Sequence, residues 1–124
     1  MRKIISTSNA PAAIGPYSQA IAADGFVYTS GQLPIDPQTG EMPTDIGEQT
    51  ALALKNVANV LNAAGSSLDA AVKMTVFVRD MNDFDKINAV YKEYFKEAPP
   101  ARSLIQVARL PKDAGIEIEC VALI

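Results

Sequence analysis

The 124-residue chain has no histidine and a single cysteine, Cys120. Without an imidazole it can hold neither a His-based triad, nor a His-ligated metal, nor a side-chain proton shuttle that ordinarily titrates near neutrality. A lone cysteine cannot close an internal disulfide or build a zinc site. Within the apolar run 116–123, with no activating base beside it, Cys120 reads as a small buried hydrophobe rather than a nucleophile. Long hydrophobic runs are missing too: Lys73 interrupts the best candidate, 70–78, so no segment approaches a membrane span. The N-terminus Met1-Arg2-Lys3-Ile4-Ile5-Ser6 turns polar too soon for a signal peptide. Positive charge is sparse and scattered, 11 Lys and Arg against 14 Asp and Glu for a net charge of −3. That balance lacks the clustered cations of a nucleic-acid footprint. Glycine-rich phosphate cradles are absent. The expectation is a soluble cytoplasmic protein whose chemistry rests on Arg, Glu, Asp, Tyr, Ser, Lys and the backbone.

With 48% hydrophobic residues and no linker, repeat or low-complexity tract, residues 1–124 read as one domain with a substantial core. A first strand falls at about 2–6. Strands over 17–22 and 26–31 flank Asp24-Gly25, a dipeptide suited to a two-residue hairpin turn. That turn sets Ala23 opposite Phe26, Ile21 opposite Tyr28, Gln19 opposite Ser30 and Tyr17 opposite Gln32. It therefore gathers Tyr17, Gln19, Ser30 and Gln32 on one face at the hairpin's open end. Asp45-Ile46-Gly47-Glu48 resembles a capping box opening a helix to about Ala64, with Gly65 as its stop. A short helical turn (67–71), a strand (72–78) and a second helix from Asn82 or Asp83 follow. Phe84, Ile87, Tyr91, Tyr94 and Phe95 form that helix's apolar stripe, and Pro99-Pro100 ends it. Strands at 102–109 and 116–123 complete a βββαβαββ order: an α/β (α+β) fold with a mixed six-stranded sheet and two helices on one face. On the last strand Ile116, Ile118, Cys120 and Ala122 suit the helix-covered core. Glu117, Glu119, Val121 and Leu123 share the other face, which predicts packing against further copies, a homo-oligomer.

Several residues could carry chemistry. Arg102, after Pro99-Pro100-Ala101, offers a planar fork for a carboxylate that Lys cannot imitate, or it makes a surface ion pair. Glu117, between two isoleucines, is a candidate general acid or base, with Glu119 as an equal rival and a rim ion pair as the plain alternative. If the last two strands formed a hairpin, Arg102 would lie roughly 20 Å from Glu117 at standard strand rise. A shared site needs another strand order or two subunits. Asn88 falls within the second helix's apolar stripe and requires a backbone or ligand partner. Tyr17 and Ser30 are ligand groups or plain sheet-end decoration. Gly31 admits a close ligand or marks a bulge.

The blocks Ala10-Pro11-Ala12-Ala13-Ile14-Gly15-Pro16-Tyr17-Ser18-Gln19-Ala20, Ser30-Gly31-Gln32, Glu48-Gln49-Thr50, Pro100-Ala101-Arg102-Ser103 and Val107-Ala108-Arg109-Leu110-Pro111-Lys112-Asp113 with Ile116-Glu117-Ile118-Glu119 resemble the RidA (YjgF-type) reactive intermediate deaminases, in order and over essentially the whole chain. The resemblance implies a chorismate-mutase-like fold, a homotrimer with ligand sites between subunits, and no cofactor or metal. It further implies hydrolysis of enamines and imines such as 2-aminoacrylate and 2-iminopropionate to 2-keto acids and ammonia. Arg102 would be the carboxylate clamp and Glu117 the acid that handles water. Tyr17, Ser30, Gly31, Asn88 and the position of Leu104 would line the pocket. Many members carry Cys where this chain has Leu104, so main-chain contacts there would survive and thiol-dependent or oxidant-triggered behaviour would not. Two rival readings share the fold: a non-catalytic binder of small carboxylates such as 2-keto acids, and an RNA-acting translation inhibitor or endoribonuclease, which the acidic charge disfavours.

Overall fold

The computed structural model describes residues 1–124. Its elements are β1 (Lys3–Ile5), β2 (Ala20–Ala23), β3 (Phe26–Thr29), α1 (Ile46–Ala63), β4 (Ala71–Val78), α2 (Phe84–Tyr91), β5 (Ala101–Gln106) and β6 (Ile116–Leu123), with single 3-10 turns at Leu68–Ala70, Met81–Asp83 and Pro111–Asp113. One mixed sheet runs in the order β1-β2-β3-β6-β4-β5. All neighbours are antiparallel except β4 and β5, and α2 supplies the crossover that a parallel pair requires. The last strand therefore sits in the middle of the sheet, while β5 lies at its edge.

Asp24 (φ 49°) and Gly25 (φ 81°) both occupy the left-handed region that a two-residue hairpin turn demands. The register follows, with Ala23 facing Phe26 and Ile21 facing Tyr28. One step further the Ser30 amide still donates to the Gln19 carbonyl at 2.8 Å. The strand does not extend back to Tyr17 as expected. The Tyr17 amide donates to the Gly15 carbonyl at 2.8 Å in a tight turn, and Pro16 has no N–H to give a ladder. Gln32 pairs with Ile118 instead of Tyr17. The expected polar cluster also separates. Gln19 is buried and clasps the segment before it, its Nε2 donating to the Thr7 and Pro11 carbonyls (3.0 and 2.8 Å), whereas Tyr17 is half exposed.

Asp45 caps α1 by accepting from the Glu48 amide at 2.9 Å. The reciprocal bond of a capping box is absent, and Glu48 stays exposed. At the other end the Gly65 and Ser66 amides donate to the Asn62 and Leu61 carbonyls (3.0 and 2.9 Å), which closes the helix in a Schellman motif. The second helix starts later and ends sooner than its apolar stripe suggests. Asp80 accepts from the Asn82 amide (2.9 Å) to open a 3-10 turn, α2 proper begins at Phe84, and regular helix stops at Tyr91. Only Ile87 and Tyr91 of its residues are buried.

Ala53, Leu54, Val57, Val60 and Leu61 of α1 and Ile87 and Tyr91 of α2 form a core with Val27, Met74, Val76, Val78, Ile116, Ile118, Cys120 and Ala122 of the sheet. Each buried aliphatic side chain contributes about 1.5–3 kcal/mol. The alternate set on β6, Glu117, Glu119 and Val121, is half-buried and Leu123 is exposed. With its neighbours Tyr28 and Phe77 it forms a second sheet face that no helix of this chain covers.

Candidate functional site

Arg102 stands at the start of edge strand β5, in register with the fully buried Met74. Its side chain turns toward the helix layer, where Nη1 donates to Asn88 Oδ1 at 2.8 Å. The guanidinium carbon lies over the Tyr91 ring, 4.7 Å from its centroid, and 6.0 Å from that of Phe84. Phe84, Asn88 and Tyr91 are spaced four and three apart, so α2 presents them as one stripe. Asn88 was expected to need a backbone or ligand partner; Arg102 is the partner instead. No carboxylate of the chain pairs with Arg102, since the ion pairs are Lys96–Glu93 and Arg109–Asp113. A half-buried guanidinium with a neutral acceptor and aromatic faces keeps its full charge and several free N–H groups. That combination suits a bidentate anion.

The Tyr91 hydroxyl is buried without a hydrogen-bond partner. Burial pushes the phenol up to about 12, while the Arg102 charge pulls the other way. Tyr91 is thus neutral at physiological pH, and Arg102 is not neutralised by a tyrosinate.

Glu117 lies in β6 opposite Phe77 of β4. Burial, and after it the charge of Glu119, raises its pKa above the ordinary carboxylate range. Against β6, Tyr28 faces Val121 and Gln32 faces Ile118. Three residues of the β3 side, Thr29, Ser30 and Gly31, therefore oppose two on β6, Glu119 and Cys120. This is a bulge of the kind that re-aims side chains beside functional sites. The bulge reading of Gly31 holds, and the neighbour that its missing side chain admits is the Glu117 side chain of the same chain. A β-carbon added at Gly31 would come 2.6 Å from Glu117 Cδ and 3.0 Å from Cγ. Ser30 Oγ donates to the Ser18 carbonyl at 2.6 Å, leaving its lone pairs as acceptors. Tyr17 lines one cavity with Gly31 and another with Ser30.

The sequence-predicted residues thus form two groups: Tyr17, Ser30, Gly31 and Glu117 around the β3 bulge, and Arg102 with Asn88 on α2. Leu104, in register with Val76, packs against the core on the Arg102 side. The strand order meets one condition set by the hairpin argument, because β4 separates β5 from β6. It does not make the two groups converge within one chain. Arg102 is level with Met74 and Glu117 with Phe77, on strands either side of β4. Their Cα atoms are about 14 Å apart at ~3.3 Å per residue and ~4.8 Å per strand, and the side chains leave opposite faces of the sheet. No three His, Cys, Asp or Glu side chains stand close enough to hold a metal ion. Sequence reasoning placed Phe84 and Tyr91 in the core stripe and missed their contact with Arg102; their spacing around Asn88 was the available signal.

Residues 7–124 match the family profile described as Endoribonuclease L-PSP. A RutC family protein of Pyrococcus horikoshii is 54% identical over 123 residues, spanning 98% of both chains. The 2-iminobutanoate/2-iminopropanoate deaminase of Escherichia coli K12 is 50% identical over 126 residues, covering 99% of this chain and 98% of the relative. The crystal structure of E. coli TdcF with bound serine superposes with a TM-score of 0.95 at 53% identity and 98% coverage of each chain. With the same fold and near-complete coverage at this identity, the chain belongs to the RidA (YjgF-type) reactive intermediate deaminase family, the family of the Endoribonuclease L-PSP profile.

Proposed function

We propose that this protein hydrolyses small enamines and imines of 2-keto acids, of the 2-aminoacrylate and 2-iminopropionate type, at sites shared between copies in a homotrimer. The observation that carries the reading is Arg102: a half-buried cation, oriented by Asn88 and with no counter-ion of its own chain. It would hold the substrate carboxylate. Serine bound to TdcF is a ligand of matching size and carboxylate chemistry. Glu117 would act from a neighbouring copy, because one small substrate can meet both groups only if the Arg102 side of one protomer abuts the Glu117 face of another.

An imine carbon is already electrophilic, so a positioned water and stabilised charge suffice without a covalent nucleophile. An enamine first takes a proton from solvent at its terminal carbon to become the iminium, the form in which the imine reacts. Water then adds to the C=N carbon as the Glu117 carboxylate accepts one of its protons, which gives a neutral carbinolamine. Glu117 returns that proton to the nitrogen, the C–N bond breaks, and the hydroxyl proton passes to the departing ammonia as the carbonyl forms: one water enters and one ammonium ion departs. The raised pKa of Glu117 suits a group that must both take and return a proton.

The test generates imine in situ with an amino-acid oxidase and follows keto acid release. Arg102→Ala should lose both ligand binding and turnover, and Glu117→Ala only turnover. Mixing the two variants should restore activity, since some seams then combine an intact Arg102 with an intact Glu117. Unchanged hydrolysis by Glu117→Ala would defeat the catalytic assignment. Inactive oligomers of verified mixed composition would defeat the shared site.

A further inference from the structure

We propose that Tyr91, assisted by Phe84, is a positioning residue for the Arg102 guanidinium: its ring, rather than its hydroxyl, sets the plane in which the anionic end of the substrate is received. The inference rests on the reading of Arg102 as the carboxylate clamp and adds what makes that clamp rigid.

A long arginine side chain at the edge of a sheet has many accessible rotamers, and a bidentate contact uses only those that present the planar fork edge-on. Here three side chains of one helix stripe remove that freedom. Asn88 accepts from Nη1 at 2.8 Å, the Tyr91 ring lies beneath the guanidinium carbon at 4.7 Å, and Phe84 borders it at 6.0 Å. Asn88 alone would leave the group free to swing about that single hydrogen bond. The aromatic face defines its plane and attracts its positive charge. Nothing in the chain explains Tyr91 through its hydroxyl, which is buried and unpartnered. The ring itself is anchored, buried to 7% exposure and packed on Phe95 with centroids 4.8 Å apart. It is a fixed platform for a movable cation.

Because the hydroxyl makes no bond and the ring does the positioning, two kinds of substitution at this one site should behave differently. Tyr91→Phe, the conservative variant that keeps the ring, should rescue the affinity that the apolar, ring-less variants lose. Tyr91→Leu and Tyr91→Met, which keep apolar bulk but remove the π face, should raise KM for the imine and the dissociation constant of a non-reacting 2-keto acid about tenfold. Lost orientation acts mainly on binding, so kcat should hold within about twofold. In an Arg102→Lys background, which keeps a charge and residual binding but has no planar fork to orient, the Leu and Met changes should have little further effect on affinity. A general loosening of the core would not produce that non-additivity. A direct readout on the unmutated protein needs no variant to fold: the Arg102 δ-methylene protons should show a ring-current shift to high field. Unshifted protons, or Leu and Met variants that bind as tightly as the parent while Arg102→Ala does not, would overturn the inference and leave the clamp standing. Unimpaired binding by Arg102→Ala would instead remove the reading on which the inference rests.

Discussion

Adding one methyl group at Gly31 tests the proposed catalytic side of the site without removing a polar atom: the new carbon meets the Glu117 carboxylate, Oε2 first. The Gly31 backbone is outside the positive-φ region, so alanine meets no conformational penalty there. The obstacle is the Glu117 side chain, whose Cδ and Cγ would be 2.6 and 3.0 Å from the new carbon. Ordinary carbon contacts lie near 3.5–4.0 Å, so the carboxyl group must retreat by about 1 Å. It is the far end of a flexible side chain, and the fold should survive with a loss of at most ~1–3 kcal/mol, as for other overpacked sites. Catalysis should suffer more, since a misplacement of that size costs on the order of 100-fold. Gly31→Ala is therefore expected to fold and to bind a 2-keto acid through Arg102, yet to release keto acid about 100-fold more slowly in the coupled imine assay. Adding Glu117→Asp, one methylene shorter, should recover part of the rate. Native turnover in Gly31→Ala, with the substitution confirmed and ligand affinity intact, would refute the idea that Glu117 acts from its place over Gly31.

Glu117→Gln should abolish turnover and raise Tm at neutral pH. The native fold raises the Glu117 pKa, so the stability linked to its proton is fully present below the ordinary carboxylate range and is lost as pH rises through the raised value. The Tm advantage of the glutamine variant should thus be absent in acid and grow toward pH 7; an advantage equal at all pH values would contradict that account. Cys120 is buried and its thiol is pushed up to about 12 by burial, so thiol reagents at pH 8 should label it only after denaturant is added. Rapid labelling of the folded protein would show that the strand face is not sealed.

Features governed by neighbours in the chain were legible in the sequence. Asp24-Gly25 dictates its own turn and so the pairing of Ala23 with Phe26, and the alternation Ile116, Ile118, Cys120, Ala122 marks one face of β6 wherever that strand lies. Asp45 and Gly65 bound α1 to within a residue of the expected limits. What the chain order hides is which strands meet. Insertion of β6 between β3 and β4 is a long-range choice made by the whole core, and it separates Arg102 from Glu117 in a manner no local pattern reports. Tyr17 misled because the register counted back from Asp24-Gly25 assumes that the ladder runs on, whereas Pro16 has no N–H to give and the Tyr17 amide turns back onto the Gly15 carbonyl. Phe84 and Asn88 misled for a related reason. Both lie on the stripe that should feed the core, but a helix ending at Tyr91 and an edge strand carrying Arg102 leave part of that stripe at the rim.

The rim position also bears on the proposed reading, in which two groups that face apart would serve one reaction. A carboxylate beside a free guanidinium in the same chain would close into an ion pair, lowering the acid's pKa and consuming the cation's N–H groups. Here the sheet stands between them, so Arg102 keeps its charge unpaired and Glu117 keeps a raised pKa. Each stays poised only while the other is held away, and on the proposed reading a substrate held through its carboxylate by Arg102 would reach Glu117 with that charge offset. Bringing the halves together through a second copy, with the substrate between them, preserves both conditions. Moving a carboxylate into reach of Arg102 within one chain, by Asn88→Asp, should therefore disable the clamp by filling it. The variant should fold at least as stably as the parent and lose affinity for 2-keto acids by 10-fold or more, since the introduced anion competes at the position the substrate needs. Undiminished affinity in that variant would mean that the charge of Arg102 is not what receives the ligand.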